Sequence, residues 1–145
     1  MTLRTYKNIK NELINLIVVG LATSMPDLNV EIENVPHSSW KTADQDEWVR
    51  ISIRENSQVR QTNDITSAIF VNFGIIAIQI FTKVDKGTNT QADILQAIMD
   101  ITYNYDNNSL RIEQPSLSND IVSDGWKQIN IDINYEWDYY FTEGV

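Results

Sequence analysis

The chain has 145 residues, 42% of them apolar, which suffices for one domain with a hydrophobic core, and we expect a single domain over residues 1–145. Eleven basic and twenty acidic residues give a net charge of −9, so the average field repels phosphate and anionic lipid and disfavours sequence-independent nucleic-acid binding. The absence of cysteine excludes disulfides, thiolate metal sites and thiol nucleophiles within this chain.

The first predicted element is an amphipathic helix that begins near Thr2 or Thr5. Apolar residues recur at spacings of three and four from Leu3 to Leu21, which places them on one helical stripe. The apolar run 13–26 follows basic residues in the order of a signal peptide. It is interrupted by Asn15 and is too short to span a bilayer, so we predict a core helix and no membrane association.

Two strands and a polar connection are predicted next. Residues 29–35 favour a short strand, and in residues 47–55 apolar side chains alternate with a second set that includes Trp48, Arg50 and Arg54. The run 56–67 is polar and has no periodic apolar face. It predicts a connection longer than usual, of the kind that is often functional or mobile.

A long strand over residues 69–84 is apolar on both faces in its middle, as in a central strand that is covered twice. We expect the chain's own helices on one face and a neighbouring subunit on the other. Residues 85–87 predict a turn, and Thr88 and Gln91 have the spacing of a capping box for the next helix. The core stripe of that helix is predicted to contain Ile94, Leu95, Ile98, Ile101 and Tyr105.

The last third of the chain predicts further strands. Residues 110–113 and those around Ile121 are weak strand candidates separated by Pro115, and residues 127–137 alternate cleanly. In that last strand Ile129, Ile131 and Ile133 are expected to face the core. The element order predicts an α+β fold, a mostly antiparallel β-sheet packed against two α-helices.

The candidates for chemistry are weak. His37 is the only histidine, and no sequence feature supplies the partners that a catalytic triad needs. Phosphate-binding glycine motifs are absent, and the acidic runs 44–47 and 119–124 lack the pattern of a calcium loop. We therefore predict that the chain is not an enzyme and holds no cofactor and no metal.

Aromatic residues are concentrated near the C-terminus, where the sequence WDYYF follows the alternating strand. Part of this set can complete the sheet core. Alternatively Tyr139, Tyr140 and Phe141 form a contact patch, since aromatic residues are enriched at interfaces, or the aromatics stack on a sugar.

The predicted N-terminal helix and five further pieces of the sequence together resemble a known family. The five pieces are VEIENVP, DEWVRISIRE, FGIIAIQIFTKVDKG, the helix TQADILQAIMDI and GWKQINIDINYEWD. In this combination and order the chain resembles tail terminator (tail completion) proteins of long-tailed bacteriophages. It departs from their pattern at residues 85–87, where two glycines are common in the family.

The resemblance implies an α+β subunit that closes into a hexameric ring on the tail tube, stops tube growth and joins the tail to the neck of the head. It implies a tail tube protein and a head completion or neck protein as partners, DNA passing through the lumen without specific binding, assembly in the host cytoplasm and a place in the virion at the head–tail junction. There are two alternatives: another head–tail joining or tail-tube protein, and a monomeric binding module. Because the chain is acidic, we expect an acidic lumen and the basic residues at subunit or tube contacts; the candidates are Arg50, Arg54, Arg60, Lys83 and Lys86.

Overall fold

The computed structural model describes residues 5–33, 35, 45–60, 67–86, 89–103, 105–107, 109–118 and 121–142. Two helices and seven strands lie within these ranges, and a short 3-10 turn, Val84–Lys86, follows the third strand. The α+β fold predicted from the sequence is confirmed. In chain order the elements are α1 (Tyr6–Ser24), β1 (Asn29–Ile32), β2 (Glu47–Arg60), β3 (Ser67–Lys83), α2 (Asn89–Thr102), β4 (Asp106–Asn107), β5 (Leu110–Leu117), β6 (Ile121–Ser123) and β7 (Trp126–Thr142).

All seven strands belong to one sheet, built around the long pair β3 and β7. Its order is β1-β2-β3-β7-β5-β4, and β6 also pairs with β7. β3 and β7 are antiparallel along their whole length, from Ser67 opposite Thr142 to Lys83 opposite Trp126. Only β1 runs parallel to its neighbour, β2; the other pairings are antiparallel.

Helix α1 begins where a side chain can satisfy the free backbone amides of its first turn. Thr5 is the N-cap, and its hydroxyl accepts from the Asn8 amide while the Asn8 side chain accepts from the Thr5 amide. The predicted stripe is confirmed from Ile9 to Leu21, whereas Tyr6 is 47% exposed and Leu3 lies outside the described residues. On the confirmed part, residues four apart on one side of the helix are buried. They are Ile9, Leu13, Ile17 and Leu21.

Helix α2 packs closely on α1 at Gly20. A Cβ at that position would lie 2.7 Å from the Ile101 side chain, so the small residue sets the distance between the helices. The predicted stripe of α2 needs correction in one part, since the helix ends at Thr102 and Tyr105 lies beyond it, donating its hydroxyl to Glu12 Oε2 at 3.0 Å. Ile94 and Ile98 are buried as predicted; the proposed cap Thr88 lies outside the described residues.

Both helices cover the same face of the sheet. The core on this face is formed by side chains without accessible surface on the three central strands, including Ile51 on β2, Ile78 on β3 and Ile131 on β7, which lie side by side. Full burial of such a side chain contributes about 1.5–3 kcal/mol. Ile133 is also fully buried, whereas Ile129, predicted to face the core, is only partly buried near the end of the helix layer.

Several strand boundaries differ from the prediction, and β7 continues to Thr142 where the sequence pattern ends at residue 137. Residues 56–60 are not a connection, because β2 continues to Arg60 and pairs with β3 across a bulge between Glu55 and Ser57; residues 61–66 lie outside the described residues. β1 ends at Ile32 and not at residue 35. Pro115 does not end a strand, since β5 passes through it with a register shift between Ile112 and Pro115, and such an irregularity accommodates a residue without a backbone amide hydrogen.

Candidate functional site

The face of the sheet opposite the helices, the outer face, is the main candidate for an interaction site. On β3 it carries the apolar side chains of Phe73, Ile75 and Ala77, which are partly exposed, whereas the alternate residues are buried under the helices. Within the described part of the chain, both helices lie on the other side. The outer face therefore leaves an apolar central strand open to a partner.

Polar residues from the neighbouring strands border this apolar strip. A groove of about 480 Å³ crosses the outer face, with Arg54 of β2 on one side and Asn130 and Asp132 of β7 on the other. Ile75 and Ala77 form part of its floor. An apolar centre with a polar rim is the usual composition of a protein contact surface.

Arg50, one of the predicted contact residues, lies on the outer face but is already engaged within the chain. Its Nε donates to Glu31 Oε2 at 2.8 Å, which ties β2 to β1. Its guanidinium also lies 5.3 Å from the Trp48 ring centroid and 5.7 Å from that of Phe81. Because much of the hydrogen-bonding capacity of Arg50 is used within the chain, its side chain is better suited to holding β1 against β2 than to binding a partner.

The rings beneath Arg50 form an aromatic cluster at one end of the outer face. Trp48 and Phe81 are cross-strand neighbours and stack at 4.0 Å with an interplanar angle of 7°. Trp126 meets Trp48 edge to face at 6.3 Å. Lys83, another predicted contact residue, sits 5.9 Å from the Trp126 ring centroid and pairs with Asp46 at 3.6 Å. Such a cluster holds the ends of three strands together.

The other predicted cations are distributed along β2 and the turn after β3. Arg54 is exposed and its Nε donates to Ser52 Oγ at 3.3 Å. Arg60 is exposed at the end of β2 and lies over the Phe70 ring, 5.8 Å from its centroid. Lys86 ends the 3-10 turn, and its side chain lies outside the described part of the structure. The five cations therefore do not form one patch: Arg54 is opposite Ile75 on the outer face, whereas Arg60 is opposite Phe70 on the helix side of the sheet.

The C-terminal aromatics do not form a patch beyond the last strand, because β7 continues to Thr142. Strand alternation sends Tyr139 towards the helix side, where it meets Trp137 edge to face at 5.9 Å, and Tyr140 to the outer face beside Val71. Trp137 is fully buried. The side chain of Phe141 lies outside the described residues. Tyr139 and Tyr140 therefore do not share a surface, because successive residues of a strand point to opposite faces of the sheet.

Sequence reasoning missed the strongest charge cluster of the outer face, which is centred on Arg111 of β5. Its Nε donates to Glu136 Oε1 at 2.7 Å and its Nη2 to Asp138 Oδ1 at 3.0 Å. Hydrogen bonding to Asp138 raises the pKa of Arg111, so the guanidinium stays charged. The i, i+2 spacing of the two carboxylates on one face of β7 was readable, but their partner depended on the pairing of β5 with β7.

A second groove, outside the outer face, lies between α2 and β5. It has a volume of about 620 Å³, and its apolar lining includes Met99, Tyr103, Ile112 and Pro115. Tyr103 is 74% exposed and Met99 is 39% exposed, so the groove is open to solvent. The sequence pattern did not indicate this groove, because its lining residues come from two elements, the exposed side of α2 and the irregular part of β5 around Pro115.

No group of three or more His, Asp or Glu side chains in the described ranges is placed to hold a metal ion, and His37 lies outside those ranges. Neither described helix is long and apolar enough to cross a bilayer.

Comparison with known proteins gives a fold and no family. No protein-family model matches the sequence, and no curated protein is similar to it. Thirty-two chains of solved structures match the fold. One of them aligns over 86% of this chain and 94% of its own, with a TM-score of 0.55 and 11% sequence identity. At that identity the likeness shows the fold alone.

Proposed function

We propose that the chain is a tail terminator of a long-tailed bacteriophage, which forms a ring on the end of the tail tube, stops its growth and joins the tail to the neck of the head. The observation that carries the proposal is the outer face, where the apolar side chains of Phe73, Ile75 and Ala77 lie open on the central strand. A ring subunit needs such a surface, because its neighbours must bury apolar area that the isolated subunit exposes.

The placement of the five resembling sequence pieces supports the same reading. VEIENVP begins in β1, DEWVRISIRE opens β2, FGIIAIQIF forms most of β3, TQADILQAIMDI is α2 and GWKQINIDINYEWD opens β7. The pieces thus fall on regular elements of one sheet and one covering helix, in the order that the resemblance implies. The proposed partners are a tail tube protein and a head completion or neck protein.

The negative net charge of the chain supports the proposal that DNA passes through the ring without being bound. With a net charge of −9 per subunit, a ring would concentrate carboxylates around its opening and repel the phosphates of a passing duplex. Specific DNA binding and catalysis form no part of the proposal. The site of action would be the head–tail junction of the virion, after assembly in the host cytoplasm.

The test is the morphology of phage particles made without this protein. We expect heads without joined tails and tails of irregular or excessive length in electron micrographs, and restoration of both by the protein supplied in trans. Tails of normal length joined to heads in its absence would contradict the proposal. A variant with Val19→Ser on the exposed side of α1 is a suitable control, since Val19 is 62% exposed and far from the outer face.

The same experiment separates the alternatives. If the chain were a tail-tube protein, particles made without it would have no tail tubes at all, because the tail-tube protein forms the polymer itself. A monomeric binding module would leave assembly intact and change only attachment. The burial of Trp137 and Tyr135 in the core leaves such a module few of the C-terminal aromatics to present.

A further inference from the structure

We propose that neighbouring copies of this chain meet head to tail, with the Arg60 and Phe70 side chains of one copy entering the groove between α2 and β5 of the next. The inference rests on the proposed function, since it names a second contact, besides the outer face, through which neighbouring subunits of a ring would meet. It concerns two surfaces that lie apart in one copy and that match each other in apolar character and charge.

The receiving surface is the groove lined by Met99, Tyr103 and Ile112. Ile112 is only 7% exposed and forms an apolar floor, whereas Tyr103 and Met99 present an aromatic ring and a flexible thioether to solvent. Methionine and tyrosine adapt readily to an inserted side chain. An inserted phenyl group, such as that of a phenylalanine side chain, would therefore contact apolar side chains in this groove.

The rim of the groove is acidic. Asp100 and Glu113 are both exposed, and Gln96 donates to Asp100 Oδ1 at 2.8 Å, which holds that carboxylate in place. Among the described lining residues there is no Lys or Arg. The occupant that suits this groove combines an apolar anchor with a cation.

Arg60 and Phe70 provide that combination. They are cross-strand partners of β2 and β3, and the guanidinium carbon lies 5.8 Å from the ring centroid, so cation and ring project from one face as a unit. Arg60 is exposed and Phe70 partly exposed. Arginine and aromatic residues placed together are the usual anchors of protein contacts.

The two surfaces cannot meet within one copy. Ile112 on the floor of the groove is opposite Tyr135, which pairs with Gly74, and Phe70 precedes Gly74 by four residues, so the surfaces lie roughly 13 Å apart along the strands at about 3.3 Å per residue. Because β7 lies between β5 and β3, two strand spacings of about 4.8 Å each add to that distance. A contact between two different surfaces of identical subunits is heterologous, and it closes into a ring when the rotation between copies permits.

Because the chain contains no cysteine, pairs of introduced cysteines can test the contact directly. Full-length Gln58→Cys and Gln114→Cys variants, which keep Arg60, Phe70 and the acidic rim, are mixed and oxidised, and heterodimer formation is followed on non-reducing gels. The matched control mixes Gln58→Cys with Val19→Cys, which places the second thiol on the exposed side of α1. We expect cross-linking with Gln114→Cys to be about tenfold faster than with Val19→Cys, since docking raises the effective concentration of the thiols.

Equal cross-linking rates in the two mixtures would overturn the proposal. A charge exchange gives a second measurement: Arg60→Glu or Asp100→Lys alone should weaken self-association about tenfold in sedimentation, and the double variant Arg60→Glu/Asp100→Lys should recover it. Failure of the double variant to recover, although both single variants weaken association, would also count against the pairing.

The outcome is independent of the tail morphology test. Selective cross-linking together with normal tails in particles lacking the protein would retain the contact and reject the terminator function. Irregular tails without selective cross-linking would retain the function and reject this contact.

Discussion

The phenol ring of Tyr135 on β7 occupies the space above Gly74 on β3, where any other residue would project its Cβ. The two residues are cross-strand partners, and a Cβ on Gly74 would also approach the Arg54 backbone oxygen to 2.6 Å. Tyr135 is 1% exposed, so the ring is a core side chain that replaces the missing side chain of the glycine. Glycine weakens a strand unless a neighbour fills the gap, and here the neighbour does.

Substitution of Gly74 by alanine is expected to destabilise the protein by about 1–3 kcal/mol, because the added methyl group must displace either the Tyr135 ring or the Arg54 backbone. The measurement is urea unfolding of the wild type and the variant. Ala77→Ser, on the outer face of the same strand, is the control and should change the stability little.

A double-mutant cycle with Tyr135→Leu assigns the cause. The smaller side chain leaves room above residue 74, so Gly74→Ala should cost less in that background than in the wild type. The same cost in both backgrounds would show that the clash with the Arg54 backbone dominates and that the ring is not the obstacle.

Along β7, the cost of truncation should follow burial. Ile131→Ala and Ile133→Ala are expected to lose about 2–5 kcal/mol each, since both side chains are fully buried. Ile129→Ala should lose less because Ile129 is only partly buried, and Asp132→Asn on the exposed face should be nearly neutral. Thermal melts that rank Asp132→Asn with Ile131→Ala would reject this register.

The regular parts of the fold were predictable from periodicity. The spacing of Ile9, Leu13 and Ile17 identified α1, and the alternation of Ile131 and Ile133 identified the faces of β7, because in both elements one side is buried and the other is wet. Where only one face of an element is buried, the spacing of apolar residues predicts both the type of element and the face that packs in the core.

The missed parts lie where burial is not one-sided. Ser57 and Gln58 belong to β2 although they are polar, since pairing with β3 and not burial makes them a strand, and the bulge before Ser57 disrupts the alternation. Pro115 lies within β5 because a bulge accommodates it. The candidate contact surfaces were predictable only as residue types, because Arg60 meets Phe70 and Arg111 meets Glu136 through the register between strands, which the sequence pattern does not specify.

Arg111 should stabilise β5 against β7 mainly by separating two carboxylates. Arg111→Gln is expected to lower stability by about 1 kcal/mol, as the partly exposed pair is screened by solvent, and Glu136 and Asp138 are left two residues apart on one face. Unfolding free energies at low and high salt measure the effect, and added salt should reduce the difference because it screens the remaining repulsion.

The control for Arg111→Gln is the same substitution in a Glu136→Gln/Asp138→Asn background, where no carboxylates remain to repel each other. The loss should be smaller there. Arg111→Lys should recover only part of the stability, since an ammonium cannot reproduce the fork of hydrogen bonds to two carboxylates. Full recovery by lysine would indicate that charge alone matters.

Glu55 is expected to make the protein less stable as the pH rises through the acidic range. Tyr135 donates its hydroxyl to Glu55 Oε1 at 3.0 Å, but burial has the larger effect and raises the pKa of this carboxyl above its ordinary value. Between the unfolded-state pKa, about 4.3, and the higher folded-state pKa, the folded protein binds more protons than the unfolded one. Stability due to this group is therefore fully present below the unfolded-state pKa and is lost as the pH rises through the folded-state pKa.

Glu55→Gln removes the charge and keeps an oxygen that can accept from Tyr135. The difference in melting temperature, variant minus wild type, should accordingly be larger at pH 7 than at pH 4, because only the wild type loses stability as this carboxyl ionises. Glu33→Gln, which removes an exposed carboxylate elsewhere, controls for the general effect of lowering the negative charge. A difference that stays constant with pH, or that follows the Glu33→Gln control, would mean that the Glu55 carboxyl has the same proton affinity in the folded and unfolded chains.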